Sequence, residues 1–168
     1  MTIQLESLTI RAFRGIRGEE QFNFGGENSI ILGPNGSGKS TVLQAFEFLL
    51  TGQIAALRGS GTGQIRTKEH VPNQYADPDK TAVKAVFTTE NETTVQAFRE
   101  FSNRSRLQAS DRPEAFRELV TAANQGLIHL SRDELLELVI ATPGNRKDQI
   151  YHLMNTEGID GRRKQLKR

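Results

Sequence analysis

Ser29-Ile30-Ile31-Leu32-Gly33-Pro34-Asn35-Gly36-Ser37-Gly38-Lys39-Ser40-Thr41-Val42-Leu43 decides the reading of this chain. Within it, Gly33-x-x-x-x-Gly38-Lys39-Ser40 has the complete spacing of a phosphate-binding loop. A polyphosphate must be ringed by backbone N–H groups, and a β-carbon in the wrong place would hold the chain away from it. Gly33, Gly36 and Gly38 remove that obstacle. A helix beginning near Lys39 turns the positive end of its dipole toward the same spot. Lys39 reaches the β- and γ-phosphates as a point charge, and the Ser40 hydroxyl is a ligand for Mg²⁺. The flanks agree. Ser29 to Leu32 is a short unbroken apolar run that predicts a strand buried on both faces. Val42, Leu43, Ala45, Phe46, Leu49 and Leu50 recur at helical spacing up to a stop at Gly52.

Upstream, Leu5 to Arg14 predicts a strand with Leu8 and Ile10 on one face and Thr9 and Arg11 on the other. Gln21 to Phe24 alternates again and ends in the turn Gly25-Gly26-Glu27-Asn28. Downstream, residues 52–80 carry four glycines and two prolines without periodicity, which predicts a long irregular and functional segment. Thr81–Thr88, with Val83, Ala85 and Phe87 inward, and Thr93–Phe101 predict a hairpin. A helix opens at Asp111-Arg112-Pro113-Glu114 and buries Phe116, Leu119, Val120 and Ala123. Ser131-Arg132-Asp133-Glu134 has capping-box spacing for a further helix, and another begins near Arg146.

Composition narrows the chemistry. The 168 residues suggest one domain, and 36% hydrophobic with 25% charged residues is a folding composition. With no cysteine and three scattered histidines, disulfide scaffolds, thiolate zinc sites and cysteine nucleophiles are excluded. No apolar run approaches the roughly 20 residues of a membrane span, and the N-terminus lacks a signal-peptide pattern, so a soluble cytoplasmic protein is expected. Net charge is only +2, but residues 141–168 hold seven Lys/Arg against three Asp/Glu. That cluster suits a solvated helix face or a phosphate-backbone contact.

Breaking a bound triphosphate also needs an acidic residue after a buried strand, to hold Mg²⁺ and polarise the attacking water. None is evident. Asp133-Glu134 follows a run broken by polar residues and is better read as a helix start. A Leu-Ser-Gly-Gly-Gln stretch is missing as well.

Leu8-Thr9-Ile10-Arg11-Ala12-Phe13-Arg14-Gly15, followed by Ile30 to Leu43, resembles the N-terminal segment of an SMC-type ATPase head. That family comprises the ABC-type ATPases of chromosome maintenance and double-strand-break repair, with RecF- and RecN-like proteins and phage-defence ATPases. The likeness continues through a loop, a β-hairpin and Leu130 to Leu136. It implies an α/β fold: a P-loop NTPase lobe with an antiparallel β-subdomain and a helix leading into a coiled coil. In the family, the chain returns from that coil with the signature motif and the missing acids. The resemblance therefore implies that residues 1–155 are the N-terminal half of a head and 156–168 the start of a coiled-coil helix.

By the same resemblance, ATP and Mg²⁺ are the ligands. Gly33, Pro34, Asn35, Gly36, Ser37, Gly38, Lys39, Ser40 and Thr41 wrap the triphosphate, and Ser40 holds the metal. Arg14 lies beside the nucleotide, although an arginine at a strand end is also ordinary surface. Thr67 and Lys68 occupy the place where relatives cover the adenine. Where the family carries a glutamine that meets Mg²⁺ and the attacking water, Arg132 stands here. A guanidinium cannot ligate a cation but can contact the γ-phosphate, so Arg132 reads either as a phosphate sensor or as a surface arginine at a helix start. The implied partners are the C-terminal half of the head, a second protomer in an ATP-dependent dimer, DNA, and a nuclease or effector; a membrane is not among them. A self-contained P-loop kinase, a transporter nucleotide-binding domain and a module using nucleotide as structural glue are the competing readings. The first needs its own acid, and none follows a buried strand; the second needs a stacking aromatic ahead of the loop and a glutamine after it, and neither is well matched; intact Lys39 and Ser40 weigh against the third.

Overall fold

A computed structural model describes residues 2–57, 70–102 and 106–128, together with positions 140, 142, 144 and 150. The chain divides into two compact units, Met1–Gly126 and Leu127–Arg168. The helices expected near Ser131 and Arg146, and the coiled-coil start at 156–168, lie outside the described residues.

The first unit is built on an antiparallel sheet. Strand β1 runs over Ile3–Phe13, β2 over Ile16–Asn23, β3 over Ala82–Thr89, β4 over Thr94–Glu100 and β5 over Gln108–Ala109. Their order across the sheet is β2-β1-β3-β4-β5. The period-2 alternation sets the faces: Leu8, Ile10, Val83, Ala85, Phe87, Val95 and Ala97 are all no more than 1% exposed. Register carries this pattern across strands, with Ile10 opposite Val83, Leu8 opposite Ala85 and Ala85 opposite Ala97. Against that face packs helix α1, Lys39–Thr51, through Val42, Ala45, Phe48, Leu49 and Leu50. Helix α2, Glu114–Asn124, adds Phe116, whose ring meets Phe87 edge-on at 5.6 Å.

Gly52 ends α1 as expected, in the left-handed region at φ 74° with its N–H on the Phe48 carbonyl. Strand β2 begins five residues before Gln21, where the alternation was first visible, because Ile16 already pairs with Phe13. Strand β5 has only two residues, too few to show a period.

Two expectations are corrected. Ser29 to Leu32 is not in a strand, and Ile30 and Leu32 are 85% and 86% exposed, not buried on both faces. Among the described residues no strand pairs with this segment, so its apolar side chains have nothing to pack against. Leu43, expected in the buried stripe of α1, is 57% exposed. It lies one position beyond Val42, on the side of the helix that the sheet does not cover.

Candidate functional site

The glycine loop joins the extended segment ending at Leu32 to the first turn of α1. Gly38 is the residue before the helix and sits at φ 93°, ψ 6°, a conformation that a side chain would strain. At Gly33 a β-carbon would lie 2.7 Å from Ser37 Oγ, a contact that rotation of that hydroxyl relieves. The loop is closed by Ser37 N–H donating to the Pro34 carbonyl at 3.2 Å. Lys39 folds back over it, its Nζ donating to the Gly33 and Pro34 carbonyls at 2.7 Å each. Thr41 and Val42 N–H both turn to the Gly38 carbonyl. Among the described residues no protein group accepts the N–H of Gly36, Gly38, Lys39 or Ser40. These are the amides that a bound anion satisfies at a helix N-terminus. Ser40 is exposed in the first turn, where its hydroxyl is accessible to a cation.

The residues thus fit a triphosphate with Mg²⁺: open amides, an ammonium held above them and a hydroxyl one residue on. Among the described residues no cluster of three His, Asp or Glu could hold a metal without help from a phosphate.

Facing the loop is the turn between β1 and β2. A cleft of about 610 Å³ is lined on one side by residues 31–34 and 36–39 and on the other by Gly15, Ile16, Arg17, Gly18, Glu20 and Phe22. A β-carbon on Gly15 would lie 4.0 Å from Thr41 Oγ1 of α1, an ordinary van der Waals contact. A second cleft, of about 430 Å³, shares Gly15 and Arg17 with the first and adds Arg14, His70, Pro72, Asn73, Gln74 and Tyr75. Among the described residues Arg14 Nη1 is buried without a hydrogen-bond partner. An unpaired buried guanidinium N–H is costly unless something negative is to meet it.

The structure thus brings Gly33 to Thr41 together on one loop and sets the Arg14 turn beside them. Thr67, Lys68 and Arg132 lie outside the described residues.

Sequence reasoning missed three groups. Asn73 and Thr81 are buried polar residues, 6% and 0% exposed, bonded to the β1–β2 turn. Arg99, 3% exposed, donates from Nε to the Leu49 carbonyl at 2.7 Å and from Nη2 to that of Leu50 at 3.1 Å. Its burial pulls the guanidinium pKa down to about 10, leaving it charged at neutral pH. The alternation Val95, Ala97, Arg99 was the available signal, since it puts an arginine on the inward face.

Among relatives, this chain is 45% identical over 65 residues to the DNA replication and repair protein RecF of Magnetococcus marinus, covering 35% of this chain and 17% of that protein. It is 42% identical over 65 residues to the hemin import ATP-binding protein HmuV of Mesorhizobium japonicum, covering 38% of this chain and 24% of that one. The chain therefore spans no more than about a quarter of either relative. In three dimensions it matches a structure described under ATP-driven dimerization and DNA-stimulated activation of SMC ATPases. The TM-score is 0.59 at 22% identity, over 89% of this chain and 99% of the other, a likeness of fold. A family model described as an AAA domain matches residues 7–167, almost the whole chain, and the chain belongs to that AAA domain family.

Proposed function

We propose that this chain is the nucleotide-binding N-terminal part of an SMC/RecF-like ATPase head, which binds Mg–ATP and hydrolyses it once completed by further polypeptide. The observation that carries the reading is the loop itself: open amides at 36 and 38–40, with Lys39 poised over the carbonyls at 33 and 34. On binding, Lys39 exchanges those two carbonyls for the β- and γ-phosphates, and Ser40 takes a position on Mg²⁺. Arg14 lies beside the nucleotide, where its unpaired Nη1 meets an anion. The cleft with His70 and Tyr75 receives the ribose and base side. By the family resemblance, Thr67 and Lys68 are assigned to the adenine cover, and Arg132 either to the γ-phosphate or to an ordinary helix start.

The sequence-level likeness to RecF and to HmuV covers about a third of the chain. The fold likeness to the SMC ATPase covers nearly all of it and favours the head over the transporter. Completion by a C-terminal half is supported by the uncovered apolar segment: Ile30, Leu32 and Leu43 are exposed beside the loop, as expected where a strand from that half would pack. A second protomer then closes over ATP, so that the nucleotide favours the closed pair by its contacts to both faces. DNA, and a nuclease or effector, are the partners this assembly would act with.

The test is Mg–ATP binding by titration calorimetry on the 168-residue chain, with Lys39→Ala and Ser40→Ala beside it. Measurable binding that Lys39→Ala abolishes, and a magnesium dependence that Ser40→Ala removes, are expected. Turnover by this chain alone at ordinary enzyme rates, on the order of 1–100 per second, would instead favour a self-contained P-loop kinase. Binding unaffected by Lys39→Ala would end the reading.

A further inference from the structure

We propose that Asn73 and Thr81 are positioning residues that hold the Arg14 turn in a conformation it would not adopt alone, and so set the guanidinium for the nucleotide; the proposal rests on Arg14 lying beside the nucleotide. The turn is strained. Ala12 and Arg14, neither a glycine, sit at φ 50° and φ 49°, on either side of Phe13 and next to a register shift in the β1–β2 ladder. L-residues visit this region only when their surroundings over-determine it, and such outliers gather at functional sites.

What over-determines it is a clamp from residues 71–81. The Arg14 N–H donates to the Val71 carbonyl at 2.8 Å, and the Asn73 N–H to the Ala12 carbonyl at 2.9 Å. Asn73 Nδ2 donates to the Arg14 carbonyl at 2.5 Å, while Thr81 Oγ1 donates to the Ala12 carbonyl at 2.8 Å. Asn73 therefore grips the turn on both sides of Phe13. Its amide orientation is also determined: Oδ1 accepts the Tyr75 N–H at 2.9 Å, which only the oxygen can do, so Nδ2 faces Arg14. Below the turn, the Phe13 ring is fully buried against Phe48 of α1 at 5.6 Å. The backbone of Arg14 is thus held from the 71–81 side and from the P-loop helix. Its side chain leaves that fixed point with Nη1 unpaired. Asn73 and Tyr75 line the same cleft as Arg14.

A double-mutant cycle tests this on the full chain, with Mg–ATP dissociation constants and thermal midpoints measured together. Asn73→Ser keeps a small acceptor for the Tyr75 N–H but is too short to reach the Arg14 carbonyl. Thr81→Val removes the other side-chain bond at nearly constant shape. Arg14→Ala removes the group being positioned. Each single variant is expected to weaken Mg–ATP about tenfold, the size of one hydrogen bond to a charged group. In the Arg14→Ala background, Asn73→Ser and Thr81→Val should then weaken it no further. Additive losses would overturn the proposal, because a merely structural role lowers affinity whether or not the arginine is present. Unchanged affinity in both Asn73→Ser and Thr81→Val, with Arg14→Ala weakened, would sink the positioning role alone. If Arg14→Ala binds normally while Lys39→Ala does not, both the place given to Arg14 and the positioning role fall, and the phosphate loop stands. Should Asn73→Ser not fold, Thr81→Val still decides between coupling and additivity.

Discussion

Arg99 offers the sharpest stability test, because its partners are the end of the helix that carries the phosphate loop. The last carbonyls of an α-helix have no intrahelical donor, and those of Leu49 and Leu50 receive the Arg99 guanidinium from β4. Replacing Arg99 with Met keeps most of the side-chain volume but removes both bonds. Hydrogen bonds from a charged donor contribute about 1.5–3 kcal/mol each, so the gross loss is about 3–6 kcal/mol. Part of that returns, since the buried cation no longer has to be desolvated. A net destabilisation of about 2–4 kcal/mol follows, and for a domain of this size it lowers the melting temperature by roughly 10 °C. Arg99→Lys delivers one ammonium to one carbonyl and should recover about half of the loss. Arg112 is the matched control: it makes the same kind of bond, Nη2 to the Leu107 carbonyl at 2.7 Å, but is exposed. Arg112→Met should cost less than about 0.5 kcal/mol. Urea unfolding monitored by circular dichroism reads all three. An Arg99→Met variant as stable as the Arg112→Met control would refute the reasoning, for burial would then not be what makes the bond matter.

Other outcomes follow from single positions. Gly38→Ala puts a side chain at φ 93°, ψ 6° in the phosphate loop, so Mg–ATP binding by calorimetry should fall about tenfold; unchanged binding would mean that the loop tolerates the strain. Gly52→Ala puts a side chain at φ 74° on the α1 C-cap and should cost about 1 kcal/mol in urea unfolding; no loss would mean that the cap relaxes freely. Ile30→Ser with Leu32→Ser should reduce binding of a hydrophobic dye without lowering stability, since both side chains are already in water. A large loss of stability would show that they pack in solution.

Much of the fold was legible because its signals are local. Leu8 and Ile10, then Val83, Ala85 and Phe87, alternate cleanly, and each set reached the buried face. The Gly33–Ser40 spacing likewise marked the loop before any geometry was known. What escaped notice depends on distant partners. Asn73 reads as part of an irregular segment and Thr81 as the start of a strand until their bonds to Ala12 and Arg14, 59 to 69 positions away, are seen. Arg99 looks like a strand-end charge until the α1 carbonyls are found above it. The strain at Ala12 and Arg14 has no sequence signature either, because neither residue type favours positive φ.

Among the described residues, the apolar segment that the sequence placed in a core and the structure leaves in water is also the most instructive. Periodicity reports the environment in which a segment works, whichever polypeptide supplies it. Ser29 to Leu32 has the unbroken apolar character of a strand covered on both faces, yet Ile30 and Leu32 stand open beside the phosphate loop. Burying two such side chains is worth about 1.5–3 kcal/mol each, a driving force left unspent in this chain. On the proposed reading, a strand from the C-terminal half uses it. The prediction is then specific: in a head assembled from separately expressed halves, Ile30→Ser with Leu32→Ser should weaken association by at least 3 kcal/mol, on the order of a hundredfold. Lys39→Ala, by contrast, should leave the association intact and abolish ATP binding. Equal association by wild type and the double variant would place the C-terminal half elsewhere on this lobe.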